Sequence, residues 1–140
     1  MTMIHYHGSS RIISEIQAAG MFGGLFAAAS PEVARSHGEI VHVIESPRPL
    51  TDYALNYEID GAYAEAMELA GGNEAIADAI MSRECNSLDD CDPADAGEQG
   101  WEFQRLRGML AARLGYTSIE MLDEHGTTWL CLPGCTISPA

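Results

Sequence analysis

Ser118-Ile119-Glu120-Met121-Leu122-Asp123-Glu124-His125-Gly126-Thr127-Thr128-Trp129-Leu130-Cys131-Leu132 consists of two runs rich in β-branched and large apolar residues around one short polar interruption. Ser118 to Leu122 and Thr127 to Leu132 therefore read as strands. Asp123 to Gly126 has the length of a hairpin turn, with glycine at its last position. On the N-terminal side lies a long helical pattern whose inward face is Phe103, Leu106, Leu110 and Leu114, ending at Gly115. On the C-terminal side, everything after Pro133 reads as a loose tail. A helix feeding an antiparallel hairpin points to an α+β chain.

The N-terminal part extends the same pattern. Met3 to Tyr6 reads as a short strand ending at Gly8-Ser9-Ser10. Arg11 to Ala19 has Ile12 and Ile16 at helical spacing, with Ile13 beside them, and reads as a helix closed by Gly20. Gly23-Gly24 precedes Leu25 to Ala28, a buried strand. Ser30-Pro31-Glu32 places a hydroxyl N-cap before a proline at the first helical position, so a brief helix runs from there to Gly38. Glu39 to Glu45 alternates, with Ile40, His42 and Ile44 on one face, and Pro47 and Pro49 end this strand. Around Tyr53, Leu55 and Tyr57 a strand and an irregular loop are equally compatible with the pattern. Asp60 to Ala70 reads as a helix with Tyr63, Ala66, Met67 and Ala70 inward, and Asn73 caps another running through Ile76 and Ile80. No linker, repeat or low-complexity stretch divides residues 1–140, which are expected to form one domain.

Charge separates the chain into unequal parts. The 140 residues carry 21 acids and seven arginines, without lysine, for a net charge of −14. Residues 52–102 alone hold fourteen acids against Arg83, so an acidic helical segment carries −13 of that total. Such a field repels phosphate backbones and anionic membranes and attracts basic surfaces, which disfavours direct nucleic-acid binding. No apolar run is long enough for a membrane span, and the N-terminus lacks the basic flank and apolar stretch of a signal peptide. A cytoplasmic location is expected. Cys85, Cys91, Cys131 and Cys135 are spaced by six, forty and four positions, too widely for paired zinc ligands, and no metal is expected. His5 and His7 share one strand face but have no evident third ligand.

Motif searching excludes more than it finds. There is no Walker loop, no G-x-G-x-x-G, no G-x-S-x-G and no H-E-x-x-H. The Asp-rich run Asp89-Asp90-Cys91-Asp92 lacks the glycine and bidentate glutamate offsets of a calcium loop and reads as a solvated helix N-terminus. Two places remain. Tyr6-His7-Gly8-Ser9 ends the first strand, where a glycine admits a ligand to the backbone. Asp123-Glu124-His125-Gly126 puts adjacent carboxylates at a strand end, although a hairpin turn alone also explains its aspartate and glycine.

Taken together these segments resemble the small phage anti-CRISPR ADP-ribosyltransferases that disable type I-F Cascade. The resemblance is carried by His7-Gly8-Ser9, Phe22-Gly23, Leu25-Phe26-Ala27, Asp95 to Gln104, Leu114-Gly115-Tyr116 and Met121 to Thr127. It implies a compact ADP-ribosyltransferase-like fold, with two small sheets flanked by helices around a cleft for NAD. Within it, His7 matches the ribose-contacting histidine, Gly8 the backbone that holds the nicotinamide carboxamide, and Ser9 the hydroxyl supporting that strand. Asp123 matches the catalytic acid; Glu124 would orient the acceptor or face solvent. Phe22, Phe26 and His37 are candidates for the aromatic beside nicotinamide, and Arg11 and Arg35 for the pyrophosphate. Phe22, Phe26 and Arg35 are carried forward as cofactor-binding residues. The implied partner is the large, PAM-sensing subunit of Cascade, met through the acidic segment. The rival readings are a non-catalytic DNA mimic and a transferase with another target.

Overall fold

The computed structural model describes residues 1–140 except Ala19 and His125. Among the described residues, seven strands form two sheets. The first orders β1 (Met3–Ser9), β3 (Ile40–Ser46) and β7 (Thr136–Pro139), all antiparallel. The second orders β2 (Leu25–Ala27), β6 (Gly126–Cys131), β5 (Ser118–Asp123) and β4 (Pro49–Leu50), with only β4–β5 parallel. Five helices lie among the described residues: α1 (Pro31–Arg35), α2 (Asp52–Tyr57), α3 (Ala62–Leu69), α4 (Glu74–Met81) and α5 (Ala96–Arg113).

Local chemistry sets most of these boundaries. The Ser30, Thr51 and Asn73 side chains accept from Val33, Ala54 and Ile76 N–H groups, so α1, α2 and α4 begin with side-chain caps. The β5–β6 register runs from Ser118 opposite Cys131 to Asp123 opposite Gly126, whose φ of 101° suits glycine. The turn between them includes His125, which lies outside the described residues.

Two apolar clusters hold the elements together. Helix α5 packs on β5 of the second sheet and α3 and α4 pack on α5, in one cluster that includes Ala66, Ile80, Phe103, Leu110, Ile119, Met121 and Leu130. Each large side chain buried there contributes about 1.5–3 kcal/mol. Ile16, Ala27, Ile44, Trp129 and Cys131 form the other cluster, between the sheets. Arg107 is fully buried on α5 and donates to Ile80 O, to Glu120 O and to Asp52 Oδ1, the last at 2.8 Å. One guanidinium thus ties α5 to α4, β5 and α2, which is how a buried charge becomes tolerable.

Several sequence expectations change. The first strand runs on through Ser9, so His7 and Gly8 are strand residues. The described part of 11–19 is irregular, with Ile12 67% exposed and only Ile16 buried; the helical spacing there lacks a surface to serve. Ala19, the expected end of that helix, lies outside the described residues. Tyr53 to Tyr57 is helical: Leu55 packs inward while the exposed Tyr53 and Tyr57 rings sit one turn apart. The expected loose tail supplies β7, pairing Ile137 with Ile44. On α3 the buried residues are Ala62 and Ala66, and Tyr63 faces outward at 40% exposure.

Candidate functional site

The two sheets meet where β1 crosses the end of β2. Tyr6 N–H donates to Ala28 O at 2.8 Å and Ala28 N–H returns to Tyr6 O at 2.7 Å. Backbone polar groups alternate sides along a strand, so Gly8, two residues on, aims its N–H and C=O in the same sense as Tyr6, away from β3. Beside this crossing lies a hollow of about 140 Å³ bordered by His7, Gly8, Phe26, Ala34, His37 and Thr128. A second, of about 140 Å³, is bordered by Asp123, Ala29, Ser30, Val33 and Thr127. Ala28 and Thr128 border both, so the two hollows adjoin and together form the candidate cleft, with His7 in one and Asp123 in the other.

Hydrogen bonds fix the histidine side of this cleft. His7 Nδ1 sits 2.5 Å from Phe26 O. A carbonyl only accepts, so Nδ1 carries the proton and Nε2 is the acceptor nitrogen. Burial lowers the His7 pKa, against a smaller upward pull from the Phe26 bond, and His42 and His37 lower it further. A neutral imidazole results. Behind it, buried His42 receives Ile13 N–H on Nε2 at 2.9 Å and places Nδ1 3.3 Å from His7 O. It therefore joins β1 to the irregular segment after it. His5, on the same face of β1, stacks on Trp129 at 4.9 Å with Nε2 unpartnered; burial pushes its pKa down to about 4.

Gly8 has a reason beyond ligand access. A Cβ there would lie 1.9 Å from Ala34 O, so α1 packs directly on the strand backbone. Ser9 accepts Arg11 N–H on its hydroxyl at 3.2 Å and organises the turn out of β1. Phe26 gives its carbonyl to His7, while its ring meets Phe22 edge-on at 4.9 Å and both pack against the helical core. Phe22 itself borders a separate hollow with Gly108, Met109 and Leu132. Arg35 is exposed in the last turn of α1, and Arg11 is exposed after β1. Asp123 is exposed at the end of β5, and Glu124 follows it outside the strand. Glu124 lies past the end of β5, so strand alternation does not set the direction of its side chain.

The structure gathers His7, Gly8, Phe26, His37 and Asp123 at one cleft and leaves Phe22 on the helical side. Sequence reading missed Thr128 and His42. Thr128 is buried and donates to Ala27 O at 2.7 Å at the centre of the cleft. Both had a signal: each is a polar residue at an inward position of a strand, which calls for a partner. Among the described residues no group of three His, Cys, Asp or Glu side chains could hold a metal ion. No helix there is long and apolar enough to cross a membrane.

Comparison with known proteins places this geometry. Residues 3–139 match the family model described as Anti-CRISPR Type I-F ADP-ribosyltransferase AcrIF11. The chain is also similar to a solved structure described as the crystal structure of an anti-CRISPR protein, with 58% identity and a TM-score of 0.91. That similarity covers 100% of this chain and 96% of the other. Comparison with curated proteins finds no match. The chain belongs to the anti-CRISPR type I-F ADP-ribosyltransferase family, whose enzymes are NAD-dependent transferases.

Proposed function

We propose that this anti-CRISPR ADP-ribosyltransferase inactivates type I-F Cascade by attaching ADP-ribose from NAD to the PAM-reading region of its large subunit. The observation that carries the reading is that the His7 hollow and the Asp123 hollow adjoin, with Ala28 and Thr128 bordering both. A primary carboxamide offers one donor face and one acceptor, which the cleft-directed N–H and C=O of Gly8 complement. His7, with its proton committed to Phe26 O, offers Nε2 to a ribose hydroxyl. His37, at the rim of the same hollow, replaces Phe22 as the aromatic candidate beside nicotinamide. Ser9 holds the strand exit, and Arg35 lies one residue beyond the Ala34 wall, within the segment that would meet the pyrophosphate.

NAD supplies a glycosidic bond whose cleavage releases nicotinamide and leaves positive charge on the ribose. A carboxylate at Asp123 acts on that charge: it stabilises the transition state more than bound NAD and so raises the rate rather than the affinity. The acceptor group of the target then adds to the ribose carbon and loses its proton. The cleft-side strands carry little net charge, and the acidic segment 52–102 supplies attraction toward a basic target.

The same acidity also fits a stoichiometric DNA mimic, and one experiment separates the two. Substoichiometric protein is incubated with purified type I-F Cascade with and without NAD, and each subunit is weighed intact. Transfer predicts loss of DNA binding only with NAD, together with one ADP-ribose mass on the large subunit. Equal inhibition without NAD, at one protein per complex, replaces the enzymatic reading with the mimic.

A further inference from the structure

We infer that the groove between α2, α3 and α4 is the docking site for an arginine- or lysine-bearing segment of the protein substrate, and that it sets target specificity. The groove, about 460 Å³, is lined by Asp52, Asn56, Tyr57, Tyr63, Asp78 and Met81. Its walls are unusual for a protein surface. Tyr57 is 77% exposed and its ring lies 5.0 Å from that of Tyr53, itself 65% exposed. Tyr63 also lines the groove and donates to Asp78 Oδ1 at 3.1 Å. Solvent-facing tyrosines, with Tyr57 and Tyr63 lining the groove and Tyr53 against Tyr57, suit an interaction surface.

The floor is rigid. Asn56 Nδ2 donates to Met81 O and to Asp52 O, both at 3.0 Å, bracing α2 against α4. Asp52 is anchored from below by Arg107. Aromatic faces beside carboxylates suit a guanidinium or ammonium, through cation–π contact and charge-assisted hydrogen bonds. Arg83, the sole base of residues 52–102, is held by Glu120 at 2.6 Å. A phosphate backbone would meet like charge here, and so would the same face of a second copy.

Position gives the groove its role. Because β4 runs parallel to β5 and pairs with its first two residues, α2 begins beside Glu120, whose Oε1 accepts Asp52 N–H at 3.1 Å, three residues before Asp123. Arg83, next to the groove residue Ser82, accepts Leu122 N–H on its carbonyl at 3.0 Å. Its guanidinium also reaches Thr127 Oγ1 at 3.4 Å, and Thr127 borders the Asp123 hollow. Groove and transfer site share this rim, so a segment held in one presents its neighbouring residues to the other.

The inference rests on the transfer reading above, and its test keeps the two apart. Tyr57→Ala/Tyr63→Ala and Asp78→Lys are compared with the unaltered protein for transfer to purified Cascade, for NAD affinity by calorimetry and for melting temperature. Both variants should raise the KM for Cascade roughly 10- to 100-fold, the effect of truncating interface hot spots, at unchanged kcat and NAD affinity. Tyr57→Phe, which keeps the ring, should retain most transfer. Normal transfer by folded, NAD-binding variants overturns the groove while leaving the enzymatic reading intact. An unaltered protein that modifies no Cascade subunit overturns the target reading and the groove with it.

Discussion

The cleft and the helical segment beside it are built on opposite principles. At the cleft, imidazoles, a glycine backbone and one buried hydroxyl are held by short-range packing and hydrogen bonds, with His7, His42 and Thr128 all partnered. Across residues 52–102, fourteen acids face mostly solvent, and the buried residues are small or aliphatic. The difference separates chemistry from targeting. Preorganised short-range groups act on a reaction centre, and a long-range field selects what reaches it. Changes on one side should therefore alter rate or stability, and changes on the other should alter encounter.

The largest effect should come from Asp123→Ala. Its side chain is exposed, so melting should stay near the unaltered value, while transfer falls roughly 10²- to 10³-fold, the usual loss for one preorganised electrostatic group. NAD affinity, read by calorimetry, should change by less than about tenfold, because the lost interaction belongs to the transition state. Glu124→Ala, outside the strand, should be much milder. A fully active Asp123→Ala protein would remove the carboxylate from the cleft's chemistry.

Gly8→Ala should strike the same region through stability. Its Cβ meets the Ala34 carbonyl at 1.9 Å, a backbone neighbour that cannot rotate away. A loss of about 3 kcal/mol, the upper end of overpacking costs, is expected in urea denaturation. An unchanged midpoint would mean that α1 shifts freely off β1.

Acid should weaken the packing between the sheets through His5. Its pKa is about 4 in the fold against 6.5 as the ordinary value, so the unfolded chain binds the proton more readily. The stability held by neutral His5 is complete above pH 6.5 and declines as pH falls toward 4. At pH 5 the loss is about 2 kcal/mol relative to neutral pH. His5→Phe should flatten that part of the pH profile; an identical slope would place the acid sensitivity elsewhere.

The smallest effect tests steering. Reversing charge at Asp89, Asp90 and Asp92 should lower target modification several-fold and leave NAD affinity alone. Added salt should act in the same direction, since exposed charges are screened within about 10 Å at 0.1 M. Modification indifferent to both would reduce this loop's acidity to solubility.

How far the sequence could be read depended on whether the deciding interaction was local. Ser30-Pro31 and Asn73 announced helix starts because a cap acts within three residues, and the β5–β6 hairpin was legible because its strands are neighbours in the chain. The irregular path after Ser10 was not. Ile13 N–H is satisfied by His42, 29 positions away, so no helix is needed there. The tail became β7 for the same reason: its partner β3 lies some 90 residues upstream. Phe22 entered only through the family resemblance, as one of three aromatic candidates, and the sequence conceals the helical core it packs on.

Sequence by itself determined the chemical repertoire: a histidine–glycine–serine strand end, an aspartate at a hairpin, an acid-laden middle and the family resemblance these carry. Tertiary structure alone decided which of these groups meet. It put His7 and Asp123 on one cleft, made Gly8 necessary through Ala34 and turned Phe22 away. It also enclosed Arg107 among carbonyls and set the tyrosine-lined groove against the rim of Asp123. The physical reason is range. Caps, turns and alternation act over a few residues and are written in order along the chain, whereas packing and buried hydrogen bonds join groups whose separation in sequence carries no record of their distance in space.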